Sequence, residues 1–393
     1  MLQSKPLRYT MFGLLYFTQG TILSYFTALN ALYLLSRGLT MTNVGIFSAI
    51  ALVPFVIKIF LGMLSDRVNI LGLGYRKPYI LLGLAIQTLC LLIVPAIDPG
   101  PQYWLFVALA FFLQMGMALY DTCTDGLALD TSTEGERGTI QAFMVGGRAV
   151  GVIVTASVVG LLAQNVSWPA VFYLLAALTL LPLPFVLSIK EAERPAGRRF
   201  EWSAFSAFKH ADVLAVSGVG LIAFLVIVGA NQLVNPFLTE RFGINLSTAG
   251  FFTTLWGIGV VAGGVLGGRL NDRAGGKQAI LISGGLSSLS LVLLALTGQI
   301  LWAWPAVFFF GFAYGAYQAS YFALAMRFTD PRIAAAMFSI IMAFTNVGQA
   351  IGLGLGGTIV DAIGYPWTLV GFAAVNLLVL PLLPVVFKQV RKP

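Results

Sequence analysis

Gly62-Met63-Leu64-Ser65-Asp66-Arg67 recurs 206 residues later as Gly268-Arg269-Leu270-Asn271-Asp272-Arg273. Each copy closes a long apolar run and opens a short basic loop, with Arg76 and Lys77 after the first and Lys277 after the second. Two copies of such a membrane-edge stretch imply a helical bundle that has been duplicated within one chain. Further matches keep their order. Gly45 pairs with Gly250 at an offset of 205, and Gly151 with Gly348, Gly160 with Gly357, and Trp168-Pro169 with Tyr365-Pro366 at 197. The smaller offset reflects a shorter loop after the second Asp-Arg.

Composition fixes the solvent. Of 393 residues, 58% are hydrophobic and only 10% charged, against about 25% charged in a soluble domain. Mean hydropathy is +0.89. Such a chain is solvated by lipid. Spans of roughly 20 residues give about twelve helices, near 10–35, 42–65, 78–97, 102–128, 138–163, 168–189, 213–239, 247–269, 278–299, 303–327, 333–360 and 366–387. The fold class is therefore all-α integral membrane, in two pseudo-symmetric six-helix bundles. These are an N-terminal bundle (1–189), a polar linker (190–212) and a C-terminal bundle (213–393). Met1 to Arg8 is short and basic, lacks a small-residue cleavage site, and reads as the start of a retained helix.

Basic residues set the orientation. With the N-terminus inside, 19 of the 23 Lys and Arg residues face the cytoplasm, and only Arg37 and Arg241 face outward. That asymmetry predicts an inner-membrane protein with both termini cytoplasmic. The formal charge of +8 lies in loops between spans and does not imply nucleic acid. Cys90 and Cys123 fall inside spans, and the single histidine, His210, lies in a loop, so no disulfide framework, metal site or catalytic triad is expected. No cofactor is expected either.

Four ionisable residues lie well inside spans, all in the first half: Lys58, Asp121, Asp125 and Arg148. A charge at mid-membrane costs roughly 2.5–3.5 kcal/mol on insertion scales, so it pairs or lines water. Asp121 and Asp125 are spaced i, i+4 and share a face that Gln114 extends. Helix rise places Lys58, Asp121 and Arg148 at roughly 10–17 Å from one edge. The second half has no such charges, with Gly264, Gln318, Phe322 and Thr345 at the matching positions. Two readings stay open here. One is a static ion-pair network. In the other, an aspartate exchanges a proton while Lys58 and Arg148 hold an anion, each biasing the other's charge state.

Neutral polar residues also interrupt spans: Gln19 in the first, Asn231 and Gln232 in the seventh, Tyr317 and Gln318 in the tenth, Asn346 and Gln349 in the eleventh. They either line a cavity or bond neighbouring helices. Asp66 and Asp272 stand at cytoplasmic helix ends. There a carboxylate can accept from the free N–H groups of another helix. The candidate partners are the eleventh helix near Ile333 and the fifth near Thr139. Gly62, Asp66, Arg67, Arg76, Gly268, Asp272 and Arg273 then form a cytoplasmic gate, or alternatively only fix loop geometry.

The repeated Gly-x-x-x-Asp-Arg with following basic residues resembles the major facilitator superfamily signature. Several runs resemble its folate–biopterin transporter family: Pro54 to Lys58, Leu73 to Tyr79, Asp121-x-x-x-Asp125, Gly138-x-x-Gln141, Gly147-Arg148-Ala149-x-Gly151 and Tyr16 to Gly20. The muropeptide permease branch is a close rival, because it shares the second-helix lysine, the paired aspartates and the fifth-helix arginine. Glu134-Gly135-Glu136-Arg137-Gly138 looks more like its loop. The resemblance implies a monomeric, proton-coupled transporter of a small anionic solute working by alternating access, with Lys58 and Arg148 as carboxylate partners. A pigment-delivery membrane protein is the alternative of another class. An enzyme is the least favoured, since no histidine, nucleotide loop or serine beside a base lies in the membrane.

Overall fold

The computed structural model describes residues 5–72, 74–131, 134–189, 209–328 and 334–388; the side chains of Asp66, Leu71, Glu134, Gly135, Arg137 and residues 334–336 also lie outside the description. Most of the expected linker, 190–208, falls outside it too. Everything else that is regular is helix, as it must be where lipid offers backbone groups no partners. α1 is Lys5–Tyr25, running on through a π-helical stretch, Phe26–Asn30, to Ala31–Ser36. α2 comes in two pieces, Met41–Val56 and Lys58–Arg67, interrupted at Ile57. α3 is Lys77–Ile93, α4 Tyr103–Thr131 and α5 Glu134–Asn165. α6 is Trp168–Thr179 followed by Leu183–Leu187. α7 is Ala211–Phe242, α8 Leu246–Ala274, α9 Gly276–Ala295, α10 Ile300–Arg327 and α11 Ala334–Ile363. α12 opens as Tyr365–Val375 and continues to Lys388.

Among the described residues, eleven stretches, in α2 to α12, are long and apolar enough to cross a membrane. The twelfth expected span is α1, which buries Thr18, Gln19, Thr21 and Ser24 and is correspondingly less apolar. Helix ends follow local chemistry. Ser167 caps α6 by accepting from the Ala170 N–H at 3.3 Å, and Pro169 sits in the first turn, where its missing N–H costs nothing. α7 ends at Gly243, whose left-handed φ of 64° suits glycine. Leu89, Phe112, Tyr173 and Trp302 are more than half exposed, an apolar surface that lipid covers.

Two compact units emerge. Unit 1 is Met1–Tyr33, Val53–Arg199 and Leu246–Phe251; unit 2 is Leu34–Leu52, Phe200–Asn245 and Phe252–Pro393. In unit 1, α1 and α5 meet backbone to backbone. A Cβ at Gly147 would lie 2.2 Å from the Gly13 carbonyl oxygen, one at Gly151 2.4 Å from that of Phe17, and one at Gly20 2.2 Å from that of Arg148. In unit 2 the same seam joins α7 to α11, where Gly348 and Gly352 each bring a would-be Cβ within 2.1 Å of the Leu221 and Leu225 oxygens. Gly151 and Gly348 are the pair related by the offset of 197, so the repeat in sequence is a repeat in packing. Small residues let helices associate where lipid removes the hydrophobic drive.

Candidate functional site: a charge cluster in unit 1

The break in α2 falls beside its lysine. Ile57 leaves the helical conformation at φ −92°, ψ 4°, and Lys58 opens the second segment. A cation at a helix N-terminus meets the positive end of the dipole, so it needs an acid. Asp121 on α4 supplies one, with Lys58 Nζ 3.4 Å from its Oδ2. The other oxygen of Asp121 accepts from Gln19 Nε2 at 2.7 Å. Asp125, one turn along, accepts from the Tyr16 hydroxyl. Two α1 residues one turn apart thus hold the two carboxylates that α4 presents one turn apart. Asp121 is buried, while Asp125 and Tyr16 are half-buried.

Arg148 completes the set differently. Its charge acts on Asp125, Lys58 and Tyr16, yet among the described residues it makes no hydrogen bond or ion pair, and it is exposed. The structure therefore joins Lys58, Asp121 and Gln19 by direct bonds, sets Asp125 one turn along on Tyr16, and packs the backbone of Arg148 on α1 at Gly20, with no bond to the Arg148 side chain among the described residues. Lys58 keeps 31% of its side chain exposed, which leaves it reachable. Gln114 stands on the same helix with its buried Oε1 unpartnered among the described residues. Tyr16 is a partner that spacing alone did not single out. Its i, i+3 relation to Gln19 was the available signal.

The neutral candidates of unit 2 have varied surroundings. Gln232 donates to the Leu353 carbonyl at 3.2 Å, and Gln349 to Asn346 at 3.0 Å. Asn231 and Gln318 are half-buried. Tyr317 is 1% exposed and lies in the apolar core with Val216, Phe224 and Leu324. Its hydroxyl donates to Asn376 at 3.0 Å, and Asn376 in turn donates to Gly284 and Ser288. Tyr317 is thus built into a packed network.

At the Asp-Arg end of unit 1, Arg76 is the organising residue. It is 8% exposed. Its Nη1 donates to Ser65 at 2.6 Å and its Nε lies 3.3 Å from Asp130. The guanidinium covers Gly126, where a Cβ would come 2.5 Å from its Cζ. Nearby, Glu136 of α5 accepts from Lys5 at 2.9 Å and Arg8 at 2.8 Å. The bond to Glu136 raises the Lys5 ammonium above its ordinary pKa. Arg67 is exposed. Asp66's side chain and Ile333 lie outside the described residues. Arg273 and Asp272 are exposed, and Asp272 has no hydrogen bond among the described residues. The two motif glycines differ as well. Gly62 would press a Cβ 3.0 Å from Thr122 of α4, whereas Gly268 faces nothing within 4 Å. On α8 the packed glycines are Gly259, Gly263 and Gly267, at 2.5, 1.9 and 2.5 Å from oxygens of Phe308, Phe312 and Ala316 on α10.

The chain is similar in sequence and in fold to known proteins. Anhydromuropeptide permease of Escherichia coli is 26% identical over 368 residues, spanning 88% of this chain and 72% of that protein. The folate-biopterin transporter of Synechocystis sp. is 27% identical over 180 residues, only 45% of this chain and 36% of that protein. Similarity to the permease thus extends over most of the chain, and similarity to the folate-biopterin transporter over less than half of it. The crystal structure of the nucleoside transporter NupG superposes with a TM-score of 0.81 at 15% identity, covering 98% of this chain and all of that one. That likeness concerns the fold alone. A model of the Major Facilitator Superfamily matches residues 9–341 and 234–393, and the chain belongs to that superfamily as a multi-pass membrane transporter.

Proposed function

We propose that the chain is a proton-coupled permease for an anionic sugar–peptide of the muropeptide kind, working by alternating access. The observation that carries this reading is the Lys58–Asp121 pair, 3.4 Å apart, beside an Arg148 without a partner among the described residues. A substrate carboxylate entering between Lys58 and Arg148 competes with Asp121 for the lysine. Deprived of its cation, Asp121 or Asp125 takes up a proton, because low dielectric disfavours the bare carboxylate. Substrate and proton then travel together. The alternative, a purely static network, has Lys58 and Asp121 serving only to join α2 to α4.

Likeness to the permease over most of the chain supports muropeptide over folate as the substrate class. Asn231, Gln318, Asn346 and Gln349 are the proposed neutral contacts of unit 2. Asp66 and Asp272, with the basic residues that follow, are the proposed cytoplasmic gate. The Lys/Arg asymmetry of the loops supports an inner-membrane protein with both termini cytoplasmic.

The deciding experiment is a ligand-stabilisation panel of anhydromuropeptides, folates, pterins, neutral sugars and amino acids on the wild type and on Lys58→Gln. An anhydromuropeptide should raise the melting temperature of the wild type and lose that effect in the variant. A neutral stabiliser indifferent to Lys58 would overturn the anion reading. A folate that stabilises while the muropeptide does not would return the substrate to the other branch.

A further inference from the structure

Tyr120 on α4 and Tyr317 on α10 are related by the offset of 197, yet they are bonded differently. In unit 2 the set around the tyrosine is complete. The Tyr317 hydroxyl donates to Asn376 Oδ1 at 3.0 Å, and Asn376 Nδ2 donates to the Gly284 carbonyl at 2.9 Å and to Ser288 Oγ at 3.0 Å. Ser288 in turn donates to the Ala373 carbonyl at 3.2 Å. Every polar side-chain atom of Tyr317, Asn376 and Ser288 has a partner.

Unit 1 holds the counterpart. The offset of 197 carries Thr179 to Asn376, and an offset of 201 carries Gly83 to Gly284 and Gln87 to Ser288. The amide has changed sides: it stands on α3 in unit 1 and on α12 in unit 2. Gln87 Nε2 donates to Thr179 Oγ1 at 3.0 Å, and Thr179 donates to the Leu175 carbonyl at 2.8 Å. Two groups are left over. The Tyr120 hydroxyl and Gln87 Oε1 have no hydrogen-bond partner among the described residues, although both residues are 0% exposed. The Gln87 amide lies close enough to act on the Tyr120 hydroxyl without reaching hydrogen-bond geometry there. Backbone contact fixes the spacing. A Cβ at Gly83 would lie 2.5 Å from the Gly116 oxygen, and one at Gly116 2.6 Å from that of Gly83. Gln87 and Tyr120 stand four residues on from these glycines, on the same helix faces. α3 and α4 therefore cannot draw closer to make a direct bond.

Of the two leftover groups, one donates and the other accepts. Water does both, and buried waters bridge such groups. We propose that Tyr120 and Gln87 form an interior hydration site in unit 1, taking a water that accepts from the Tyr120 hydroxyl and donates to Gln87 Oε1. Unit 2 makes the same joint dry, through the Asn376 amide. The duplicated scaffold is thus closed by protein–protein bonds in one unit and through an exchangeable solvent molecule in the other. Asp121 follows Tyr120 directly, so the solvent-mediated joint lies on the turn of α4 that carries it. The inference does not depend on the substrate.

The test is X-ray radiolytic footprinting of the whole chain in detergent, with oxygen addition at each tyrosine read by mass spectrometry. Tyr120 and Tyr317 are 0% and 1% exposed, so radicals formed in bulk reach neither ring. A water held against one of them is radiolysed in place. Tyr120 should gain oxygen at several times the rate of Tyr317, and equal protection of the two would overturn the site. Gln87→Ser combined with Thr179→Asn installs the unit 2 set around Tyr120, and labelling should fall to the Tyr317 level. Undiminished labelling there would show that these groups do not hold the water. If that double variant does not fold, Gln87→Met decides, since it keeps the length of the side chain without its acceptor; unchanged labelling again refutes the proposal. Melting curves give an independent reading. Tyr120→Phe should lower the melting temperature, because it removes one end of the bridge. A raised melting temperature would mean that the hydroxyl had no partner at all.

Discussion

Gly146 and Gly147 are neighbours on α5, and the same substitution should have opposite effects at the two. Alanine exceeds glycine in helix stability by about 0.5–1 kcal/mol. At Gly146 nothing lies within 4 Å of the added Cβ, so Gly146→Ala should be neutral or slightly stabilising. At Gly147 the Cβ would stand 2.2 Å from the Gly13 oxygen, with the Gly13 carbonyl carbon at 2.9 Å. Backbone cannot step aside by changing rotamer. Restoring an ordinary 3.4 Å contact demands about 1.2 Å of separation between α1 and α5. Overpacking of this kind costs about 1–3 kcal/mol. The same movement carries Tyr16 and Gln19 relative to Arg148, so coupled transport should fall with stability. The assay is a pair of thermal unfolding curves in one detergent, followed by substrate-driven uptake in liposomes. A Gly147→Ala protein as stable as Gly146→Ala would refute the claim that α1 and α5 touch through their backbones.

Three further outcomes are expected. Asp121→Asn should abolish proton-driven uptake while leaving substrate exchange measurable; unchanged proton dependence would exclude Asp121 as the coupling acid. Arg76→Lys should lower stability by about 1.5–3 kcal/mol, because one ammonium cannot replace a guanidinium bound to both Ser65 and Asp130. A wild-type melting curve would contradict this. Tyr317→Phe should cost about 1–3 kcal/mol by leaving Asn376 short of its donor. Loss of uptake at unaltered stability would instead make Tyr317 a substrate contact.

The architecture was legible because lipid simplifies the problem. An apolar run such as 278–299 has one permitted backbone, and its helix is Gly276–Ala295. Charges inside spans were equally plain, and Lys58 and Asp121, estimated at similar depth, do pair. Other features left weaker traces. The π turn at Phe26–Asn30 and the break at Ile57 arise in apolar runs without glycine at the irregular residue itself. Arg76 was legible as a gate residue beside the Asp-Arg motif, but only folding shows that Ser65 and Asp130 converge on it. Tyr317 carried a cavity-like spacing, but its neighbour Asn376 is distant in sequence.

The mismatch between offsets 205 and 206 has an angular meaning. Measured from the glycine packed on the neighbouring helix, Asp66 stands four residues on from Gly62, while Asp272 stands five on from Gly267. One residue of an α-helix is about 100° of rotation. Relative to the packed glycine, the second motif is therefore set about 100° further round its helix than the first. By the same count Lys58 corresponds to Gly263, whose missing side chain lets α8 close on α10. An inherited copy has thus been turned out of phase with its original, and equal spelling in the two halves conceals unequal direction.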